Sequence, residues 1–314
     1  MSDFKLNNIY SSMYLIRRVE ERIIDIYHTD KIKSPVHLSI GQEAPSVGVC
    51  NALLKDDIVF GTYRSHALYL AKGGNLKTMI AELFGKETGH SAGKAGSMHL
   101  GDKNVNMIHT SAIVSTSIPH AVGYAFSEKI KKTGKIVVSF FGDGAIEEGV
   151  FYESINFASL INAPVLFVCE NNLYAINTHY SKRTKEQNYV DRVKMFGIES
   201  IKVKNNIEEI SSVSRNLVEK MREDSKPRFL EIETYRWREH VGVSYDWDLG
   251  YRTESEVKDQ QKNDELERIG NKIRPDEKIN IENSVDEAID EAFKYADLSN
   301  EPSPSVLFED VYSD

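Results

Sequence analysis

The sequence predicts an α/β protein with a doubly wound parallel sheet and with helical extensions at both ends. Apolar runs rich in β-branched residues, typical of buried strands, occupy residues 135–141 and 164–169, and a helical pattern fills residues 147–161 between them. The alternation of strand, helix and strand continues at residues 199–203, 206–222 and 228–235. Such an alternation is typical of a parallel sheet with helices on both faces.

The two ends of the chain are predicted to be helical. Residues 7–30 carry apolar side chains at helical spacing: Ile9, Met13, Ile16, Val19, Ile23 and Ile26. Shorter helices at 41–54 and 75–85 follow, with an extended segment at 57–63 between them. From Thr253 the chain is polar, charged and mostly helical, over 253–268 and 283–297. We therefore expect a single domain over residues 1–314, with a mostly helical extension at 253–314.

Composition excludes several classes of partner. The chain has 314 residues and a net charge of −9, with no stripe of Lys and Arg, so we expect no nucleic acid partner. No apolar run has the length of a membrane span and the N-terminal residues do not form a signal peptide, so we expect no membrane association. Cys50 and Cys169 lie far apart in apolar runs. Buried free thiols indicate a reducing compartment, and we expect a cytoplasmic protein.

Polar residues follow the two central strands at the points where they end. Gly142, Asp143 and Gly144 follow the first strand, and an asparagine pair ending at Asn172 follows the second. A strand–helix–strand unit brings both strand ends to one edge of the sheet, where ligands bind. A carboxylate and an amide oxygen suit Mg²⁺, and a glycine lets phosphates approach the backbone. The pattern predicts a magnesium–diphosphate site, although a simple turn at the glycines would also fit this triplet.

This arrangement resembles the thiamine diphosphate signature, in which Gly-Asp-Gly is followed by Asn-Asn about 25 to 30 residues later. Further blocks resemble the alpha chain of the first component of the 2-oxo acid dehydrogenases, a group that includes the pyruvate, branched-chain and acetoin enzymes. These blocks lie at residues 35–44, 62–66, 93–99, 234–236 and 307–312. The resemblance covers nearly the whole chain and implies the thiamine diphosphate-binding fold, with helical extensions at both ends.

The resemblance implies roles for the residues at matching positions. Asp143, the side chain of Asn172 and the carbonyl of Tyr174 would hold Mg²⁺. The backbone amides of Gly144 and Ala145 would contact the diphosphate.

Other matching positions would hold the rest of the cofactor and the substrate. Arg64 would pair with the diphosphate and Tyr63 would lie against the aminopyrimidine. Ala112 would offer backbone hydrogen bonds to that ring, and Val114 would wedge beneath the cofactor. His37 and His240 would face the reacting centre.

The resemblance also implies partners. The glutamate that activates the aminopyrimidine belongs, in this family, to a separate beta subunit, and we find no candidate for it in this sequence. We expect an α2β2 assembly that decarboxylates a small-molecule 2-oxo acid and transfers the acyl group to a lipoyl-bearing acyltransferase.

Each assignment has an ordinary structural alternative. Arg64 could form a surface ion pair, and His37 and His240 could be satisfied core or loop histidines. Val114 could be a core residue. A pair of glutamates and a group of three histidines could suggest further catalytic or zinc sites, but both have simpler explanations. Glu147 and Glu148 would complement a helix dipole, and His90, His99 and His109 match no standard zinc spacing.

One loop departs from the family pattern. Relatives usually carry a His-Gly-His-Ser run after the Tyr-Arg pair, whereas this chain has Arg238 at the first histidine and Val241 at the serine. The serine is a phosphorylation target in mitochondrial enzymes, and it is missing at this position. We hypothesise that Arg238 adapts the site to a different, anionic acyl group or acceptor. The segment 112–116 also differs from the glycine-rich pyruvate version.

Two other functions remain open at this stage. A carboligase or aldehyde transferase would use the same cofactor and beta subunit but a non-lipoyl acceptor, because fold and cofactor alone do not determine the reaction. A catalytically idle scaffold would not need the Asp143, Asn172, Arg64 and His240 set. A nicotinamide-dependent dehydrogenase is excluded because the glycine fingerprint is missing.

Overall fold

A computed structural model describes residues 3–186 and 188–309. Within these residues, one sheet contains the strands β1 (Ile58–Thr62), β2 (Met107–Ser111), β3 (Val137–Gly142), β4 (Val165–Asn171), β7 (Glu199–Val203) and β8 (Arg228–Glu233). These six strands are parallel and lie in the order β2-β1-β3-β4-β8-β7. Two short strands, β5 (Tyr174–Ala175) and β6 (Thr178–His179), form a separate antiparallel hairpin.

Helices cover both faces of the sheet and both ends of the chain. The described residues form α1 (Asp3–Tyr27), α2 (Glu43–Cys50), α3 (His66–Ala71), α4 (Leu76–Leu83), α5 (Ser117–Lys131), α6 (Gly149–Ile161), α7 (Tyr189–Lys194), α8 (Ile207–Asp224), α9 (Glu254–Gln261), α10 (Glu265–Gly270) and α11 (Pro275–Leu298). No helix within these ranges is sufficiently long and apolar to span a bilayer.

The sheet separates two hydrophobic cores. Alternate side chains of β3 enter opposite cores, with Val138 and Phe140 on one face and Val137 and Phe141 on the other. Because both faces are covered, the central strands are apolar at nearly every position, as the sequence indicates. The predicted fold class, a doubly wound parallel α/β sheet, is confirmed.

The order of the strands positions the site. β1 lies between β2 and β3, so the chain moves from β1 to β2 in one direction and then returns past β1 to reach β3. Ligands of open α/β sheets bind at the carboxyl ends of the strands where the order reverses in this way. The carboxyl ends of β1 and β3 are therefore where a ligand is expected.

Several predicted boundaries are corrected. The sequence does not predict β2; as an edge strand with one exposed and one half-buried side chain, it carries no apolar run. The helix after the Gly-Asp-Gly triplet begins at Gly149 and not at 147, since a 3₁₀ helix occupies Asp143–Glu147. The predicted helix 253–268 is two helices, α9 and α10.

The terminal helices pack against each other. α1 begins at Asp3 and not at residue 7, and its apolar face (Met13, Ile16, Ile23) lies in the core. Its polar face is joined to α11 by ion pairs such as Arg18 with Asp286. Residues 310–312 of the C-terminal block that resembles the alpha chains lie outside the described residues.

Candidate active site

A cavity of about 240 Å³ opens at the carboxyl ends of β1, β3 and β4. Nine of the residues predicted from the sequence line it. They are Tyr63, Arg64, Val114, Asp143, Gly144, Ala145, Asn172, Tyr174 and His240. Ala112 and His37 are also described by the structure, but they do not line this cavity. The predicted site residues therefore come together at the reversal of strand order.

The two predicted side-chain ligands of the metal lie at the ends of paired strands. Asp143 follows β3, Asn172 follows β4, and these strands are in register up to their last residues. Asp143 is 1% exposed and Asn172 is 7% exposed. The Asn172 amide is held at both ends: Nδ2 donates to Oε1 of Gln42 at 2.9 Å, and Oδ1 accepts from the backbone N–H of Tyr174 at 3.2 Å.

Arg183 is a site residue that the sequence did not reveal. Its guanidinium forms salt bridges with Asp143 and Glu147, and its Nε donates to the carbonyl oxygen of Thr178 at 3.0 Å. Burial raises the pKa of Asp143, and the positive charge of Arg183 opposes that effect. A cation thus already neutralises the carboxylate that is predicted to bind Mg²⁺.

The backbone around the cavity is tightly packed and partly strained. A Cβ added at Gly144 would lie 2.9 Å from the Cβ of Ala175, so only glycine fits there without movement. Among the described residues, Ser115, Leu173 and Ile176 line or adjoin the cavity with positive φ values of 68°, 72° and 53°. Non-glycine residues in this conformation cost about 1–3 kcal/mol each and cluster at functional sites.

Arg64 is a buried cation whose hydrogen bonds go to carbonyl oxygens, while Glu20 and Glu170 act on its charge only from beyond salt-bridge distance. Its two terminal nitrogens donate to the carbonyl oxygens of Leu38 and His240, and no carboxylate within the described ranges forms a salt bridge with it. Burial, followed by repulsion from Arg236, lowers the pKa of Arg64 to about 10. The alternative of a surface ion pair does not fit these contacts, and the guanidinium is suited to an anionic ligand.

The predicted wedge segment forms one wall of the cavity. Val114 is 44% exposed and lines the cavity, so it is not a core residue. Ser115 fixes the segment by donating its hydroxyl to the carbonyl oxygen of Ala145 at 3.0 Å. Ala112 is half-buried at the base of this segment. The segment therefore presents an apolar side chain to the same space that Gly144 and Ala145 border.

Three rings form a cluster at one end of the cavity. The ring of His37 lies 4.4 Å from that of Tyr63 and 5.2 Å from that of His240, measured between centroids. Burial and then the charge of Arg64 lower the pKa of His37 to about 2 and that of His240 to about 3. Both imidazoles are consequently neutral near pH 7. Nδ1 of His37 is buried without a hydrogen-bond partner among the described residues, which does not fit a satisfied core histidine.

Residues 36–41, which we call the strap, hold both histidines in place. The strap carries His37, and its Val36 carbonyl accepts from the N–H of Gly242 in the His240 loop at 2.8 Å. Its Ile40 carbonyl accepts from the N–H of Trp237 at 3.1 Å. The position of His240 is therefore set by backbone hydrogen bonds to a segment far away in sequence.

A buried ion network anchors the rest of the His240 loop. Asp246 forms salt bridges with Arg236 and Arg252, and the side chains of all three residues are at most 1% exposed. Arg252 also donates to the carbonyl oxygens of Arg236 and Arg238 at 2.8 and 2.9 Å. Arg236, the arginine of the block at residues 234–236, therefore has a structural role, because it shapes the loop that presents His240.

Arg238 does not line the cavity formed by the described residues. Its guanidinium lies 3.9 Å from the ring centroid of Tyr245, and that ring stacks on Trp247 at 4.0 Å. Its NH1 group donates to the carbonyl oxygen of Val243 at 3.3 Å. This placement gives no support to the hypothesis that Arg238 contacts the acyl group.

The remaining glutamates, histidines and cysteines of interest lie in different parts of the molecule. Glu170, Glu147 and Glu148 also line the cavity. The histidines considered for zinc line a separate cavity of about 600 Å³, and the described residues contain no cluster of three or more His, Cys, Asp or Glu able to hold a metal. Cys50 and Cys169 are free thiols. Burial raises the pKa of Cys50 to about 12.

The sequence missed Gln42, Glu170 and Arg183. Gln42 lies in a block already noted for its resemblance, and Glu170 immediately precedes the asparagine pair. The motif residues next to Gln42 and Glu170 could have indicated that both lie in the site. Arg183 has no comparable signal, because it lies 40 residues from Asp143 in an ordinary polar segment.

Comparison with known proteins identifies the family. The model of the family described as dehydrogenase E1 component matches residues 11–305. This chain belongs to the dehydrogenase E1 component family. The match covers all of the residues that line the cavity and the greater part of both helical extensions.

The relatives of this E1 chain are alpha subunits. It is 36% identical over 310 residues to the pyruvate dehydrogenase E1 component subunit alpha of Rickettsia typhi, covering 96% of this chain and 94% of the relative. It is 34% identical over 316 residues to the chloroplastic subunit alpha-3 of Arabidopsis thaliana, covering 98% of this chain and 74% of the relative. It is 33% identical over 311 residues to the alpha subunit of acetoin:2,6-dichlorophenolindophenol oxidoreductase of Bacillus subtilis, covering 97% and 92%.

These findings confirm the family predicted from the motifs. The chain is the alpha subunit of a thiamine diphosphate-dependent 2-oxo acid dehydrogenase, and its family implies a beta subunit as partner. The alternative of a carboligase or aldehyde transferase is not favoured, since these relatives are named dehydrogenases or oxidoreductases.

Proposed function

We propose that this alpha subunit binds Mg²⁺ with thiamine diphosphate, decarboxylates a 2-oxo acid and transfers the acyl group to a lipoyl-bearing acyltransferase. The observation that carries the proposal is the grouping of Asp143, Asn172 and Arg64 around one cavity, at the ends of three adjacent strands. Two oxygen ligands and a buried cation that forms no salt bridge among the described residues, all in one cavity, suit a metal-bound diphosphate.

The residues present fit this cofactor. Asp143, the Oδ1 atom of Asn172 and the carbonyl of Tyr174 would hold the metal, and the amides of Gly144 and Ala145 with Arg64 would hold the diphosphate. The side chain of Tyr174 is engaged elsewhere, since its hydroxyl donates to Glu256 at 2.7 Å, so only its backbone is available to a ligand. Tyr63, Ala112 and Val114 would contact the aminopyrimidine and shape the bend of the cofactor.

Thiamine diphosphate supplies the electron sink that allows a 2-oxo acid to lose carbon dioxide. The chain supplies orientation and electrostatics. The neutral imidazoles of His240 and His37 can accept and donate hydrogen bonds, and we propose that they orient the carboxylate and ketone oxygens of the substrate. Their burial excludes water from the same end of the cavity.

The direct test is the release of carbon dioxide from a panel of 2-oxo acids. The complex is purified natively through this chain and assayed with thiamine diphosphate and Mg²⁺, and then with Mg²⁺ removed by a chelator. Release from one acid, dependent on both additions, is the expected result. Acylation of a lipoyl domain by the same acid tests the acceptor, and a product in which the decarboxylated aldehyde unit is joined to another carbonyl would instead support the carboligase. No release from any acid by a complex that contains the beta subunit would refute the proposal.

An α2β2 assembly is supported by the size of the cavity and by an exposed apolar surface. A cavity of about 240 Å³ is smaller than the 300–1,000 Å³ typical of ligand pockets, which supports a site that is completed by a second chain. The packed helices α5 and α6 also expose large apolar side chains, which we call the α5/α6 face. These are Phe126, Ile130, Phe157 and Leu160. We propose that the beta subunit covers this face.

Replacing Leu160 with Lys should therefore weaken the assembly. Leu160 is 77% exposed, and burying a leucine contributes about 1.5–3 kcal/mol, equivalent to about a 10- to 100-fold change in the association constant. The measurement is the dissociation constant of the complex by light scattering of serially diluted samples. Leu298→Lys at the end of α11, where the leucine is 75% exposed, is the matched control. Equal assembly of both variants would place the beta subunit elsewhere.

Replacing Arg183 with Met should strengthen binding of a divalent cation. The guanidinium pairs with Asp143 and Glu147, so a metal must compete with it for the same carboxylate. We expect about a tenfold lower dissociation constant, or ~1.4 kcal/mol. Mn²⁺ binding in the presence of thiamine diphosphate, followed by electron paramagnetic resonance, measures it. Lys182→Met removes an equal charge from the neighbouring exposed residue and serves as the control. Weaker binding in Arg183→Met would mean that the arginine helps to hold the cofactor.

Two further expectations remain proposals. We propose that residues 1–314 form a single domain, which is supported by the packing of α1 on α11. We also propose a cytoplasmic location, supported by the free thiols of Cys50 and Cys169.

A further inference from the structure

Gln42 is a buried side chain that touches a predicted metal ligand. It is 1% exposed, lines the cavity and accepts a hydrogen bond from Nδ2 of Asn172 at 2.9 Å. None of the roles considered above involves it. Its position raises the question of what the contact does for Asn172.

The orientation of the Asn172 amide follows from its contacts. A backbone N–H can only donate, so the atom 3.2 Å from the N–H of Tyr174 must be the oxygen Oδ1. Nδ2 then faces Gln42, and Gln42 must present its own oxygen to accept from it. The Tyr174 contact uses one of the two lone pairs of Oδ1 and leaves the other available.

Gln42 is itself held on a rigid turn. Its N–H donates to the carbonyl oxygen of Ser39 at 2.7 Å, and Glu43 accepts from the N–H of Gly41 at 3.1 Å. Gly41 has a φ of 92°, and a Cβ there would lie 2.6 Å from the carbonyl oxygen of Tyr235. Arg17 pairs with Glu43 and fixes the turn to α1. The backbone that carries Gln42 is therefore fixed relative to α1, and its side chain is held by the contact with Asn172.

We propose that Gln42 is a positioning residue that keeps the oxygen of Asn172, and not its NH₂ group, directed at the metal. The inference rests on the proposed magnesium site. An asparagine amide has one end that binds a cation and one end that repels it, and the two ends have nearly the same shape. An acceptor placed beside Nδ2 selects the binding orientation. Outer partners of metal ligands typically contribute 10–100-fold to metal affinity.

The test is a double-mutant cycle on Mn²⁺ binding by the assembled α/β enzyme with thiamine diphosphate. Gln42→Met keeps the length of the side chain and removes the acceptor, so we expect affinity to fall by about 10–100-fold. Asn172→Asp provides the discriminating background, because a carboxylate has two equivalent oxygens and no wrong end. In that background, Gln42→Met should change the affinity by less than about threefold. Thermal melting and light scattering establish that each variant is folded and assembled.

Each outcome distinguishes the inference from the proposed function. If the wild-type assembly does not bind Mn²⁺, the magnesium site and the role of Gln42 both fail. If the wild type binds and Gln42→Met binds equally well, only the role of Gln42 is refuted. An equal loss in both backgrounds would show that Gln42 supports the packing of the cavity and not the orientation of Asn172. If Gln42→Met does not fold, Gln42→Asn withdraws the oxygen by one methylene and should give the same pattern in the cycle.

Discussion

Replacing Asp143 with Asn in the assembled enzyme is expected to lower affinity for Mn²⁺ by about 100-fold or more and to abolish release of carbon dioxide at ordinary Mg²⁺ concentrations. The only charged side chain among the three proposed metal ligands is Asp143, and it is 1% exposed, so no water compensates for the lost charge. The metal loses the one negative charge among its protein ligands, and a change of about 100-fold in affinity corresponds to ~2.7 kcal/mol.

The folded structure should tolerate this substitution. Asn has nearly the same shape as Asp, and Arg183 keeps its salt bridge with Glu147 and its bond to the Thr178 carbonyl. The melting temperature should therefore fall less than in Asp246→Asn, which leaves its guanidiniums without their carboxylate, while binding is lost. Asp191→Asn, at an exposed aspartate of α7, is the matched control. Unchanged Mn²⁺ affinity in Asp143→Asn would refute the assignment of this residue as a metal ligand.

Replacing Asp246 with Asn should destabilise the His240 loop more than any surface change in it. Two guanidiniums, those of Arg236 and Arg252, depend on this carboxylate, and the side chains of all three residues are at most 1% exposed. Breaking such a buried network typically costs about 3–5 kcal/mol, because the remaining charges are left unpaired. We expect a drop of that size in the free energy of unfolding measured with urea, together with a loss of activity. Asp248→Asn, at an exposed position in the same loop, should have little effect on either.

The same network predicts the behaviour of the protein in acid. Burial alone would raise the pKa of Asp246, but hydrogen bonds from Tyr251 and Arg236 outweigh it, and the pKa lies below its ordinary value. The unfolded chain therefore binds its proton first as the pH falls, near a pKa of about 3.9. The contribution of Asp246 to stability is complete above that pH and is lost as the pH falls towards the lower folded pKa. The wild type should consequently lose more stability below about pH 4 than the Asp246→Asn variant. Parallel curves would argue against this role of the carboxylate.

The central part of the fold could be predicted because its signals are local. The apolar runs of β3 and β4 and the polar residues that follow them lie within about 40 residues, and the pairing of these strands brings Asp143 and Asn172 to one edge. The edge strand β2 escaped prediction because it is only partly buried and has no apolar run. Helix α5 was missed too, although it begins directly after the wall segment of the cavity.

The sequence predicts which residues lie in the site better than it predicts the contacts that these residues make. The sequence brings Arg64 into the site but does not reveal that its partners are two carbonyl oxygens. The pairing of Arg183 with Asp143 joins segments that no periodicity connects. His37 was assigned to the reacting centre, and the structure places its ring against Tyr63 and His240 at the end of the cavity. Such pairings depend on how the loops fold over the sheet, and therefore on tertiary packing that a local pattern does not contain.

The packing of α1 against α11 has a consequence for how the chain is made. The first helix pairs with one that ends at Leu298, through contacts such as Tyr10 with Glu282 and Tyr14 with Asp286. During synthesis, which proceeds at about 5–20 residues per second, the apolar face of α1 must wait for most of the polypeptide to emerge before its last partner arrives. Contacts between residues so distant in sequence slow folding. Helix α1 can pack on α2 and α3 early in synthesis, but its pairing with α11 is completed only near the end.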